Sequence, residues 1–241
     1  MKSRQGTLQK QIFLSVFAGV ACLFFFACGI PVYYVIEPPV AENIPTVDTD
    51  DISKKYFSFI CPYNNSSENS EFTLYGTDIY YKIYNSLDDM NTEISRINSR
   101  NSEYSSSGFE TIRELNYQTL WLASGASPVV PKTTASRTVR LRLCSDVGYD
   151  PELYDVTNDT LISIPYRKGT GNTGSGNMSF DFTSNYYPVS TDSDTKIIED
   201  IQNGGVWYVN LYAVTVGRDA SLASQYSSLL FLGNIKIQQT Q

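Results

Sequence analysis

The chain predicts a mainly β fold, a single antiparallel β-sandwich with a short helical insertion, and three observations carry that expectation. Apolar residues recur at every second position in several short runs, and those runs are rich in Tyr, Phe, Val and Ile. Segments rich in Gly, Ser, Asn and Pro separate them. About eight such runs divided by turn signals are the pattern of a sandwich. No repeat of roughly 20 to 50 residues is visible, which argues against a solenoid.

Taken in order, residues 56–61 form the first run, ended by Pro62 and a polar stretch at 64–71. Residues 79–84 place Ile79, Tyr81 and Ile83 on one face. Residues 139–144 alternate most strictly, with Val139, Leu141 and Leu143 inward and Arg140 and Arg142 outward. A solvated face opposite a buried one is what antiparallel sheets offer. Residues 117–122, 161–166, 178–182, 206–216 and 228–237 complete the strand set.

Two stretches depart from the period of two. Ser86 followed by Asp89 reads as an N-terminal cap, and Leu87, Met90, Ile94 and Ile97 fall at helical spacing. A short helix over 87–99 is expected, lying across one edge or end of the sandwich. Residues 196–202, closed by Asn203-Gly204-Gly205, predict a turn or two of helix. The Ser-rich run at 98–108 predicts a mobile loop.

The sandwich domain is expected over 53–241. Residues 28–52 hold Pro31, Pro38, Pro39 and Pro45 with Asp48, Asp50 and Asp51, the composition of an extended tether. Ahead of it, Lys2, Arg4 and Lys10 precede an apolar stretch at 12–27 that ends at Ala27-Cys28-Gly29. A basic start, an apolar run and a small residue before a cleavage point read as a secretory signal, 1–27.

Phe25-Phe26-Ala27-Cys28 resembles the lipobox of bacterial lipoprotein precursors. It is similar to the relaxed form of spirochaete lipoproteins, because Phe stands where the family usually has Leu and a small residue. The resemblance implies lipid attachment at Cys28, and a chain anchored to a membrane of a bacterial cell envelope, facing the periplasm or the exterior. The alternative is an uncleaved anchor, since the 26 residues from Gln11 to Ile36 carry no charge and about 20 suffice to span a bilayer. Both readings place residues 37 onward outside the cytoplasm.

All 25 acidic residues follow Cys28, and removing Lys2, Arg4 and Lys10 from the 18 basic ones leaves the remainder at −10. Such a balance argues against nucleic acid as a partner, because backbone phosphates demand a basic face. Histidine is absent, which removes Ser-His-Asp and Cys-His catalysis and the commonest transition-metal ligand. Beyond the leader and Cys28, only Cys61 and Cys144 remain. A disulfide closing the 82 residues between them would stabilise the fold by about 4–5 kcal/mol in the chain-entropy picture. Two buried free thiols fit the sequence as well.

Trp207, Val209, Leu211 and Ala213 alternate, followed by Gly217, Ser221 and the apolar 229–232. This is similar to the last two strands of a fibronectin type III domain, with Trp207 where that family has Tyr. Residues 79–84 would match its third strand. The resemblance covers about 45 residues and implies a fibronectin- or immunoglobulin-like sandwich, without any function.

Two strings look like ligand motifs. Gly169-Thr170-Gly171-Asn172-Thr173-Gly174 is a literal G-x-G-x-x-G, but a dinucleotide site needs it between a strand and a helix. Here a β-rich segment follows, so the string reads as a hairpin loop. Residues 191–196 begin like a calcium loop, yet Lys196 and Ile197 replace a ligand and the required glycine. Asp192 and Asp194 therefore read as caps and solvated turn residues. No cofactor, metal set or catalytic residue is assigned, and no carboxylate pair of the glycosidase kind stands out.

Eighteen tyrosines are an excess. Exposed tyrosines bind sugars or proteins because they offer area with few rotatable bonds, although strands favour tyrosine regardless. A protein or carbohydrate partner is expected on Tyr-rich loops at one end of the sandwich, at 101–110 or 167–177. The leading expectation is a non-enzymatic, membrane-anchored envelope lipoprotein that acts by binding or as a structural module. A carboxylate-dependent envelope hydrolase and an accessory subunit of an envelope assembly are the alternatives. A hydrolase predicts a cleft with converging carboxylates and a raised pKa. A binder predicts a shallow exposed aromatic patch, and an assembly subunit an unprotected edge strand.

Overall fold

The computed structural model describes residues 36–63, 72–171, 179–183, 185–198 and 204–239. All belong to one compact unit, Val35–Gln241. Cys28 and the signal segment lie outside the described residues, as do positions 172–174 of the glycine string and 199–202 of the second expected helix.

In chain order the first elements are β1 (Val40–Asn43), β2 (Phe57–Cys61), β3 (Phe72–Tyr84) and the helices α1 (Leu87–Asn101) and α2 (Ser107–Glu114). Short strands β4 (Gln118–Thr119), β5 (Trp121–Leu122) and β6 (Val130–Pro131) lead to β7 (Arg137–Arg142), β8 (Glu152–Asp155) and β9 (Thr160–Ser163). Then come β10 (Pro165–Tyr166), β11 (Thr195–Lys196), β12 (Val206–Asp219), β13 (Ser224–Tyr226) and β14 (Leu230–Gln238).

The fold is a β-sandwich with a helical insertion. One sheet is antiparallel in the order β1-β2-β7-β8-β9. The other is centred on the long antiparallel pair β3 and β12, which runs from Tyr84↔Tyr208 to Phe72↔Asp219 with a register shift between Val216 and Gly217. β14 and β13 flank β12 on its far side. Along the free side of β3 lie β11, the one parallel neighbour among these pairings, then β4 and β6. A separate two-stranded piece joins β5 to β10.

The period of two explains the core. Phe57 and Phe59 of β2 with Val139 and Leu141 of β7 meet Ile79, Tyr81, Trp207, Val209 and Leu211 of the facing sheet, all buried. Each such side chain, fully buried, contributes about 1.5–3 kcal/mol. The outer face of the second sheet is also apolar: Tyr84, Tyr212 and Val214 pack against Met90 and Ile97 of α1 and Phe109 and Ile112 of α2. The helices therefore form a third layer over that face, rather than crossing an edge or end. Ser86 caps α1 as its spacing predicts, accepting the Asp89 N–H at 3.2 Å.

Several expectations are corrected. The run at 98–108 is no loop: α1 continues to Asn101 and α2 begins at Ser107. The Ser107 hydroxyl donates to Tyr104 O at 2.8 Å, and Phe109 stacks on Tyr226 with ring centroids 3.6 Å apart. The folded part starts before residue 53. Ile36 is buried, β1 pairs with β2 through Val40↔Ile60, and Thr215 Oγ1 donates to Glu37 O at 2.7 Å. Residues 36–52 are thus part of the sandwich. An edge strand with half-exposed side chains lacks the apolar alternation that would reveal it.

Residues 179–182 form no strand, although Phe180 and Phe182 enter the core. Residues 117–122 split between β4 and β5, β8 was not anticipated, and Thr195–Lys196 is a strand instead of a helix start. Cys61 and Cys144 are buried free thiols, not a bridged pair. Burial pushes the Cys61 thiol up to about 11. Among the described residues no helix is long and apolar enough to cross a membrane.

Candidate functional site

The fold brings the two ligand-like strings together, and what they make is a lock. Arg167, 1% exposed, donates from Nε to Asp194 Oδ2 at 3.0 Å and from Nη2 to Asp194 Oδ1 at 2.6 Å and Asp192 Oδ2 at 2.7 Å. Tyr81 O–H donates to Asp194 Oδ2 at 2.7 Å. The Gly169 N–H reaches the same oxygen at 2.9 Å, and the Thr170 and Gly171 N–H groups reach Asp192 Oδ1 at 3.0 and 3.1 Å. Asp192 and Asp194 are therefore buried anchors, not solvated turn residues. Arg167 arrives from 25 and 27 positions away, so local sequence gives no sign of the pairing. At Gly169 a Cβ would collide with Arg167 Nη2 and Asp194 Oδ1, so only glycine fits.

Burial pushes the Asp194 carboxyl up, but the hydrogen bonds and charge of Arg167 outweigh it and hold the group below its ordinary value. An aspartate so held is an ionised structural anchor.

A second polar network lies under the helices. Lys82 Nζ donates to Glu93 at 3.0 Å and to Leu115 O at 2.6 Å. Tyr84 O–H donates to Glu93 Oε2 at 2.7 Å and Asn210 Nδ2 to Tyr117 Oη at 2.7 Å. Lys196 closes an open cleft of about 550 Å³ beside this network, bonding Asp89 and Glu93 at 3.1 Å each. Desolvation raises the Glu93 carboxyl, yet Tyr84 and Lys82 together pull it below its ordinary value. Each charged side chain lining this cleft has an ion-pair partner: Lys82 and Lys196 hold Glu93, Arg96 holds Glu114 and Arg167 holds Asp192.

The third site differs. β4 and β6 both border β3, through Tyr80↔Thr119 and Thr77↔Val130, and Asp78 falls between them. The intervening chain bulges outward. It is fastened by the Leu120 N–H to Ile79 O at 2.7 Å and by the Val129 N–H to Asp78 Oδ1 at 3.0 Å. Gly76, at φ +151°, permits the close approach, because a Cβ there would meet Val130 O and Pro128. Pairing of β5 with β10, Trp121 opposite Tyr166, holds the bulge. Leu120 and Leu122 point inward, so alternation turns the indole of Trp121 outward, 43% exposed.

The result is a shallow depression of about 320 Å³ lined by Asp78, Thr119, Trp121, Ser127 and Lys168. Burial raises the Asp78 carboxyl, against the one lowering contribution of the Val129 N–H. Among the described residues neither Asp78 nor Lys168 enters an ion pair. The site thus offers an aromatic plate, an acceptor and a donor that the fold does not use up.

Of the loops expected to carry a site, residues 101–110 end one helix and begin the next; within 167–177, residues 167–171 belong to the Arg167 lock and 172–177 lie outside the described residues. Several exposed tyrosines are engaged by neighbours: Tyr75 lies under Arg218 at 5.3 Å, Tyr149 under Arg142 at 4.6 Å, and Tyr104 donates to Glu110 at 2.8 Å. Sequence reading passed over Trp121 and Asp78. The parity of Leu120, Trp121 and Leu122, which puts an indole on a solvent face, was the available signal. Among the described residues no three Cys, Asp or Glu side chains gather as a metal-ligating group. No protein family, curated protein or solved structure matches the chain.

Proposed function

We propose that the chain is a non-enzymatic binding module of a bacterial envelope, lipid-tethered through Cys28, whose recognition surface is the depression around Trp121. The observation that carries the reading is the partly exposed indole beside Asp78 and Lys168, neither of which enters an ion pair among the described residues. An exposed tryptophan flanked by charges without an ion-pair partner is the composition of a recognition site rather than of a fold contact. The carboxyls of Asp194 and Glu93 are held below their ordinary value by fixed partners, and the raised Asp78 has no second carboxylate beside it in the lining of its depression; this favours binding over hydrolysis, which needs a pair of acids. The facing orders β1-β2-β7 and β3-β12-β14 support the fibronectin- and immunoglobulin-like resemblance. In that architecture recognition is carried by connecting segments, as it would be here by residues 120–129.

The test uses full-length protein, purified in detergent, with bacterial envelope extract as the probe. The chain has two tryptophans, and Trp207 is buried, so a change in the red-shifted indole emission on titration reports Trp121. A saturable change that is weakened in Asp78→Ala and in Lys168→Ala, both of which keep the reporting indole, is the expected result; none at any extract concentration overturns the reading. In cells, Cys28→Ala is expected to lose fatty-acid labelling and accumulate precursor, and persistent labelling refutes the anchor.

A further inference from the structure

Resting on the binding-module reading, we infer that the Trp121 depression takes a neutral saccharide. Trp121 would stack on the C–H face of one sugar ring, with Asp78 accepting from its hydroxyls and Lys168 donating to them.

The chemistry of the lining selects among ligand classes. A cationic ligand would suit Asp78 and the indole but would face Lys168 across the same depression. An anionic ligand would suit Lys168 and face Asp78. A purely apolar ligand would strip water from both charges and from the Thr119 and Ser127 hydroxyls without replacing any hydrogen bond. A pyranose is uncharged, has one apolar face for the indole, and presents hydroxyls that both donate and accept around its rim. It satisfies each lining group without setting like charges together.

Shape agrees with this assignment. The depression is open, and its 320 Å³ lies at the small end of ligand sites, which suits one or two rings of a longer chain. Asp78 is preorganised for the task. Its Oδ1 holds the Val129 N–H at 3.0 Å, which fixes the carboxylate plane and leaves Oδ2 for a ligand. Trp121 is positioned by backbone pairing to Tyr166, and its side chain is partly exposed at the depression. With few contacts and an open side, the affinity expected for one such site is weak, on the order of 0.1–1 mM.

The experiment titrates full-length protein, in a detergent that carries no sugar headgroup, with neutral tetrasaccharides of glucose, galactose, mannose and N-acetylglucosamine. Tryptophan emission and calorimetry are the readouts, and choline, adenosine and sialic acid serve as cationic, nucleoside and anionic probes. The inference expects saturable binding of at least one tetrasaccharide, with affinity reduced about tenfold or more in Trp121→Ala and in Asp78→Ala, while thermal unfolding shows both variants folded. Preference for choline, adenosine or sialic acid overturns the ligand class. Sugar binding unchanged in Trp121→Ala overturns the site. If no tetrasaccharide binds while envelope extract still gives a Trp121-dependent signal, the saccharide inference falls and the binding-module reading stands. Loss of both signals overturns both.

Discussion

Arg167 and Lys168 are neighbours in the chain and opposites in the fold. Arg167 turns inward, where two aspartates and the ring of Phe182, 5.8 Å from the guanidinium, surround it. Lys168 stays exposed on the rim of the Trp121 depression, while its backbone N–H donates to the Tyr81 hydroxyl. The aspartates follow the same division: Asp194 has its charge neutralised by Arg167, whereas Asp78 accepts a single N–H. Residue type does not separate a charge that holds the fold from one left for a ligand. The number of partners that meet it on burial does.

The sharpest way to break this comparison is to remove a partner from the lock. Asp194→Ala leaves Asp192 beside the guanidinium but strips Arg167 Nε, the Tyr81 O–H and the Gly169 N–H of their buried acceptor, and such a loss costs about 3–5 kcal/mol. Denaturant unfolding should show it as a lower midpoint at unchanged slope. A cost below about 1 kcal/mol would place the lock among ordinary surface ion pairs.

A smaller effect is expected from Gly169→Ala, which keeps every charge and adds one methyl between Arg167 and Asp194. Overpacking of this kind costs about 1–3 kcal/mol, read in the same unfolding experiment. A neutral outcome would show that the glycine string can shift away from the lock.

The two aspartates are expected to have opposite signs in pH dependence. Asp194 is lowered in the folded state, so its contribution is present above the ordinary carboxylate value of 3.8 and lost as pH falls through its folded value. Asp78 is raised, so the folded state is disfavoured above its folded value, and that penalty fades as pH falls below 3.8. Asp78→Asn should therefore raise the melting temperature at pH 7, with the gain shrinking toward pH 3. A drop at pH 7 would assign Asp78 to the lock's category.

Trp121→Ala is expected to give the smallest change in stability, about 1 kcal/mol, because the indole is partly solvated and the backbone pairing of its strand does not depend on it. A larger loss by thermal unfolding would make Trp121 a structural residue and remove the contrast altogether.

Legibility in the sequence tracked the range of the interactions. Strand β7 and helix α1 were readable from Val139, Leu141 and Leu143 and from Ser86, Met90, Ile94 and Ile97, because their periods and caps are local. Helix α2 was not, since its Ser-rich start carries no apolar period and its anchors, Phe109 and Ile112, find their partners on the distant sheet face and Tyr226. Strand β1 was not, since ladder bonds to β2 hold an edge whose side chains remain half exposed. Asp192 and Asp194 passed for turn residues until Arg167 came to meet them.

The sequence by itself determined the alternation that makes two sheets, the cap and stripe of α1, the lack of histidine chemistry and an acidic surface. Each is set by composition or by neighbours within a few residues. The tertiary structure alone decided that the helices cover a sheet face, that the glycine and aspartate strings close on Arg167, and that Trp121 and Asp78 remain open. Burial and partnership arise from contacts between residues far apart in the chain, and local period carries no record of them.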